Sequence, residues 1–247
     1  MEKEIESIQN PTIKHLVRLR QNRDYREEHN SVFIEGIKLV EEISQSHKVR
    51  TLITYDRNLI PNNSKSENTL IVSEAVMKKL SSMQHPEGLA AEIEMPKSHS
   101  LEKMKYVIVL DEINDPGNLG TLLRSALALG WQGAFVLDNS CDPYNDKALR
   151  AAKGATFRLP IRRGKWSDLI DLIKKNNLQA FVGDIQGKNI HEIGSNQKIA
   201  LVLSNEAHGV SEEANKHCER ITIPMSGKME SLNVAAAGAI LMYVLKS

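Results

Sequence analysis

From about residue 105 the chain alternates between two patterns so regularly that few folds can accommodate it. Apolar, largely β-branched runs occur at 107–113 (VIVLDEI), 133–139 (GAFVLDN), 156–161 (TFRLPI), 179–185 (QAFVGDI), 198–205 (KIALVLSN) and 220–225 (RITIPM). Helical patterns stand between most of them, at 119–130, 146–155, 166–177 and 211–219, and one more follows at 231–246. Strands that are apolar throughout are covered on both faces. The alternation therefore predicts an α/β fold, a parallel sheet with helices on both sides. The polar, glycine-bearing stretch 186–197 is expected to be a loop.

Residues 1–96 follow another rhythm. A basic helix pattern (11–28) precedes VFIEG (32–36), a helix (38–46), VRTLITYD (49–56) and a polar stretch (61–68). TLIVS (69–73), a helix (74–83) and LAAEIEM (89–95) complete a small α/β domain. Residues 97–104, with serine and charge after Pro96, have the composition of a linker, and the second domain is expected over 105–247.

Composition limits the functional classes. Apolar content of 41% and charged content of 26% are those of an ordinary globular chain, and no apolar run approaches the roughly 20 residues of a membrane span. The charged start, MEKEIE, lacks the apolar segment of a secretory signal, so a cytoplasmic location is expected. Cys141 and Cys218 are far apart and lack metal-ligand spacing, which argues against a zinc site or a disulfide framework. Net charge of +1 excludes a strongly basic tail but not local basic patches.

Two such patches exist. Residues 150–165 hold Arg150, Lys153, Arg158, Arg162, Arg163 and Lys165 without an acid, and the first helix carries Lys14, Arg18, Arg20, Arg23 and Arg26. Either could be a solvated face; two in a near-neutral protein point toward a phosphate backbone.

Three stretches carry candidate chemistry. In 111–130, a strand runs through Asp115-Pro116 into a helix, where Asn118 could act as a cap and Arg124 is the only charge from 116 to 130. In 201–213, Glu206 follows an apolar strand, a costly place for a carboxylate unless it is paired or working. His208 has no partner at metal spacing and reads as a loop residue. In 223–247, Ser231 is a natural N-cap for the last helix, and AAAGA allows close helix packing.

Taken together, these blocks resemble the SpoU (TrmH-like) RNA ribose 2′-O-methyltransferases of the SPOUT superfamily. Asp115, Pro116, Asn118, Gly120, Arg124, Ala126 and Gly130 meet the first motif. Asn205, Glu206 and Gly209 meet the second, and Ile223, Pro224, Met225, Gly227, Ser231, Leu232, Asn233 and Val234 meet the third. The N-terminal segment looks like the L30e-like RNA-binding domain that such enzymes carry.

The resemblance implies a deep trefoil knot in the second domain, a homodimer, S-adenosylmethionine as methyl donor and no metal. It assigns Leu203, Ser204, Gly209, Ile223, Met225 and Leu232 to the cofactor. Asn118, Arg124, Glu206, Ser231 and Asn233 fall to catalysis, with Arg124 either the base or an electrostatic stabiliser. Lys14, Arg18, Arg150, Lys153, Arg162 and Arg163 become RNA contacts. Ser204 stands where the family usually has glycine, so a Cβ meets the cofactor there. The implied substrate is large-subunit ribosomal RNA, with transfer RNA as the alternative. A non-catalytic RNA-binding protein need not keep Arg124, Glu206 and Asn233 together, and a dehydrogenase would show a Gly-rich fingerprint after its first strand.

Overall fold

A computed structural model describes residues 2–62, 64–194, 197–205 and 209–246. It divides into two compact units, one formed by residues 1–97 with 144–149, the other by 98–143 with 150–247.

The first unit contains β1 (Glu2–Ile5), α1 (Pro11–Gln21), α2 (Arg23–His29), β2 (Ser31–Glu35), α3 (Ile37–Ser44), β3 (Val49–Thr54), β4 (Ser66–Val72), α4 (Glu74–Leu80) and β5 (Leu89–Glu94). Its sheet has the order β1-β4-β3-β5-β2, with β1 and β3 parallel to β4, and β5 antiparallel to β3 and β2. Asn10 caps α1 by accepting from the Thr12 amide, and Pro11 takes the first helical position, where no amide hydrogen is needed. Ile13, Leu16 and Leu19 recur at helical spacing and are buried against Phe33, Ile53 and Leu80. The single helix expected over 11–28 is two. Asn22 leaves helical geometry (φ −123°, ψ 121°), ending α1 and capping α2 through the Tyr25 amide. The Arg26 guanidinium donates back to the Leu19 and Arg20 carbonyls, so this arginine satisfies the end of α1 and is buried.

The second unit contains β6 (Tyr106–Asp111), α5 (Pro116–Ala128), β7 (Gly133–Leu137), α6 (Asp146–Ala152), β8 (Ile161–Gly164), α7 (Trp166–Asn176), β9 (Gln179–Asn189), β10 (Ile199–Ser204), α8 (Glu212–His217), β11 (Glu219–Thr222) and α9 (Val234–Val244). α6 spans the division, since its first four residues cluster with the first unit. The six strands are ordered β11-β9-β10-β6-β7-β8, and every neighbouring pair is parallel. Val107, Val109, Phe135, Val182, Ala200 and Val202 fill one core of this sheet with Leu169 and Leu172 of α7.

Two expectations are corrected here. The run 156–161 is no strand. Gly154 turns the chain at φ 84°, residues 155–157 form a 3₁₀ turn, and β8 starts only after Pro160, whose carbonyl accepts from the Ala134 amide. The polar stretch 186–197 is not wholly loop, because β9 continues to Asn189 and pairs there with Thr222. Residues 98–104 belong to the second unit. Leu101 is buried, and the Asn176 amide donates to the Leu101 and Met104 carbonyls while accepting from the Lys103 amide. Among the described residues no helix is long and apolar enough to cross a membrane.

Candidate functional site

The C-terminal ends of β6, β9, β10 and β11 define the site, as expected where loops leave a parallel sheet. β9 and β11 pair at Phe181–Glu219 and Val182–Arg220, then again at Lys188–Ile221 and Asn189–Thr222. Residues 183–187 of β9 are therefore left outside the ladder with β11, and Gly183, Asp184 and Ile185 form one wall of a cleft. A side chain at Gly187 is impossible without movement, since its Cβ would lie 2.6 Å from the Ile221 amide nitrogen. Asp184 is fixed in this wall by a 2.8 Å ion pair with Arg220, and the Thr222 hydroxyl donates to the Ile185 carbonyl.

The cleft has a volume of about 250 Å³. All six residues assigned above to a cofactor line it: Leu203 and Ser204 from the end of β10, Gly209 beyond it, and Ile223, Met225 and Leu232 after β11. Ser231 is there as well. Asp184 and Thr222 are polar lining residues that motif reading missed, because no signal along the sequence announces where a strand bulges. Gly209 adopts φ 70°, a conformation that favours glycine, with open space where a Cβ would be. The Ser204 hydroxyl is buried and has no hydrogen-bond partner among the described residues.

The N-termini of α5 and α9 meet beside this cleft. The caps are not the residues that sequence suggested. Asp115, rather than Asn118, caps α5 through the Asn118 amide at 2.8 Å. Asn233, rather than Ser231, caps α9, accepting from the Ala235 and Ala236 amides. This leaves the Asn118 side chain available, and its Oδ1 accepts from Asn233 Nδ2 at 3.1 Å. One asparagine thus starts a helix and ties it to the other helix start. α9 can lie this close because Gly238 faces Leu122 of α5 and Leu203 of β10, where a Cβ would approach to 2.5 and 2.8 Å.

Arg124 is exposed on α5 and does not line the cleft. It makes no side-chain hydrogen bond or ion pair with any described residue. The structure thus brings Asn118 and Asn233 together and puts Ser231 on the cofactor cleft, but does not bring Arg124 to them. Glu206 and His208 lie outside the described residues.

Behind the cleft is a buried carboxylate that the sequence reading passed over. Asp111, fully buried at the end of β6, accepts from the Ser211 hydroxyl at 2.5 Å and from Asn139 Nδ2 at 3.3 Å. Burial holds its pKa above the usual carboxylate value, against the hydrogen bonds from Ser211 and Asn139. Ser211 also caps α8. The next residue, Glu112, sits at φ 56°, and its carbonyl accepts from Asn205 Nδ2 at 3.1 Å. Asn205 and Ser211, on either side of the cleft residues Gly209 and Val210, are therefore both anchored on this one dipeptide. Burial, helped by the Asp111 charge, pushes the Cys218 thiol up to about 12, which disfavours its thiolate. No group of three or more His, Cys, Asp or Glu side chains among the described residues could hold a metal ion.

Of the basic residues assigned to RNA, Lys14 and Arg18 are exposed on α1. Arg150, Lys153 and Arg162 occupy the second run, with Arg162 3.9 Å from Asp168. Arg163 is turned inward, only 18% exposed and 3.5 Å from Asp142.

Comparison with known proteins agrees with this architecture. Residues 105–243 match the SpoU rRNA methylase family, and residues 10–91 match the MRM3-like substrate binding domain. The 23S rRNA (guanosine(2553)-2′-O)-methyltransferase RlmP of Bacillus subtilis is 32% identical over 248 residues, covering 99% of each chain. A 23S rRNA (uridine(2479)-2′-O)-methyltransferase of Streptomyces viridochromogenes is 25% identical, over 90% of this chain and 84% of that one. The AdoMet-bound rRNA methyltransferase from Sinorhizobium meliloti superimposes with a TM-score of 0.86 at 27% identity, covering 99% of this chain and 97% of the other. Parallel sheet, paired helix starts and matching sequence over more than half the chain lead to one assignment: the protein belongs to the SpoU rRNA methylase family.

Proposed function

We propose that this protein is an S-adenosylmethionine-dependent methyltransferase that modifies a ribose 2′-hydroxyl of large-subunit ribosomal RNA. The observation that carries the reading is the cleft. Six residues from two separated stretches, 203–209 and 223–232, line one cavity of about 250 Å³. The relatives' substrates support the choice of RNA, since two of them are named for 2′-O-methylation of 23S rRNA.

The cleft's composition fits the cofactor. Leu203, Ile223, Met225 and Leu232 offer apolar surface to a nucleoside and thioether, and Asp184 offers a carboxylate to a cationic group. When bound, S-adenosylmethionine supplies a methyl group on a sulfonium, a leaving group good enough to need no Lewis acid. The protein's task is then positioning and charge. Asn118 and Asn233, joined side chain to side chain, orient the ribose at the junction of two helix N-termini. Arg124 supplies a guanidinium that stabilises the alkoxide developing as the 2′-hydroxyl gives up its proton to water.

The finer architecture follows the same reading. The segment after β11 passes through a loop of the chain as a trefoil knot, and the first unit is an L30e-like RNA-binding domain. Two copies form a homodimer through α9. That helix exposes Ile240 at 41% and Tyr243 at 65%, with Ala236 one turn before Ile240 on the same side. In a homodimer an exposed Arg124 can serve a site completed by both copies.

Two experiments test the proposal. Mapping 2′-O-methylation of 23S rRNA from cells with and without the gene should reveal one lost methyl group; the guanosine modified by the Bacillus subtilis relative is the first position to inspect. Arg124→Ala should abolish methyl transfer with S-adenosylmethionine affinity nearly intact. Wild-type turnover by that variant would remove Arg124 from the mechanism.

A further inference from the structure

The first unit contains a polar network that packing alone does not require. Arg18 is exposed on α1, with its guanidinium carbon 4.0 Å from the centre of the Tyr25 ring. Its side chain makes no hydrogen bond or ion pair with any described residue. Tyr25 also stacks on His29, with ring centres 3.9 Å apart. The tyrosine is held at its far end, where its hydroxyl and His15 Nδ1 share a 2.9 Å hydrogen bond. His15 Nε2 lies 3.3 Å from Glu92 Oε1. A carboxylate only accepts, so Nε2 carries the proton and, in the neutral ring, Nδ1 accepts from Tyr25.

Glu92 is itself fixed. It is buried on β5, and the hydroxyls of Ser31 and Thr51 donate to its two oxygens at 2.8 and 3.2 Å. Arg50 holds Ser31 and the His29 carbonyl, closing the network at 2.5 and 2.9 Å. A chain of contacts therefore runs from a buried carboxylate through His15 and Tyr25 to a surface guanidinium. Burying such a network costs desolvation that apolar residues would not incur. What it achieves is rigidity at its outer end.

A guanidinium seated on an aromatic ring, with its donors uncommitted, has already lost much of its rotamer freedom. Its planar fork matches the oxygens of a phosphate in a bidentate pair. The surroundings suit an anion. α1 contains no acidic residue, Lys14 is exposed one turn before Arg18, and Glu27 on α2 is taken up by Arg23 at 2.9 Å.

We propose that Arg18 is a preformed contact for an RNA phosphodiester, and that Tyr25, His15 and Glu92 are positioning residues that hold it ready. The inference rests on the RNA-modifying function proposed above and names the atoms by which the first unit would grip its substrate.

The test uses the full-length protein, a 23S rRNA transcript and a salt series. Arg18→Ala should weaken RNA binding about tenfold and lower the slope of log K against log salt by about 0.7–0.9, the value for one lost phosphate contact. The RNA KM should rise while kcat and S-adenosylmethionine affinity stay put. Tyr25→Leu should reproduce these effects, and the double variant should be no worse than Arg18→Ala, because the tyrosine acts through the arginine. Tyr25→Phe keeps the ring, guarding against loss of folding, and should cost about two- to threefold, the hydroxyl's share of the positioning. Unchanged affinity and slope in Arg18→Ala, or a double variant whose loss is the product of the single losses, would overturn the inference while leaving the methyltransferase reading intact. Failure of the wild type to bind the transcript would overturn both.

Discussion

Asp111 and Ser204 face each other across β6 and β10, and each is a polar group set where burial is expensive. A carboxyl whose folded-state pKa lies above its unfolded value favours the folded protein most below the unfolded value. That advantage is lost as pH rises through the folded value. Wild-type stability should therefore fall relative to Asp111→Asn between acid and neutral pH, as urea denaturation at the two conditions would measure. The same substitution weakens the hold on Ser211, so cofactor affinity should drop even where stability does not. For Ser204, whose hydroxyl has no partner among the described residues, replacement by alanine should raise stability by about 1 kcal/mol. A fall in denaturation midpoint would show that the hydroxyl is satisfied after all. The family resemblance put Asn118 and Asn233 in one proposed set, and their side chains are hydrogen-bonded to each other. It could not say which residue caps which helix, because Asp115 and Asn118, or Ser231 and Asn233, are equally good oxygen acceptors for an amide N–H and only backbone geometry chooses between them.

At the scale of elements, α9 shows how composition becomes placement. Its small residues predicted close packing, and Gly238 is where the approach is tightest. In an isolated helix alanine is favoured over glycine by about 1 kcal/mol. Here Gly238→Ala should nonetheless destabilise the protein by about 1–3 kcal/mol, because its Cβ would overlap Leu122 and Leu203. Since Leu203 also lines the cleft, S-adenosylmethionine affinity should fall in the same variant, which titration calorimetry can read. The strands of β6, β7 and β10 were legible because continuous apolar runs buried on two faces have few other uses. The run 156–161 looked alike but begins in a 3₁₀ turn and reaches β8 only at Ile161; an apolar stretch marks burial, not backbone conformation. The extension of β9 to Asn189 was hidden for the opposite reason. Its partner residues on β11 supply the ladder, and its own sequence is polar because residues 186–189 are largely open to solvent.

For the molecule as a whole, the apolar stripe on α9 makes a concrete demand. Ile240→Glu should convert the proposed homodimer into monomers in sedimentation velocity and abolish methyl transfer, while the monomer keeps its fold. Full activity in a monomeric variant would remove the second copy from the site. Sequence by itself determined the class of fold and the family, because burial on two faces and motif order are properties written along the chain. The family resemblance also named six residues for the cofactor, all of which line the cleft. Tertiary structure alone decided that β9 bulges to bring Asp184 to that cleft, that Asp111 and Glu112 anchor both sides of the loop residues beside it, and that Glu92 reaches Arg18 through two aromatic side chains. Each of these joins residues far apart in the chain through hydrogen bonds or register. Such contacts depend on distances in three dimensions, and no local pattern of residue types encodes them.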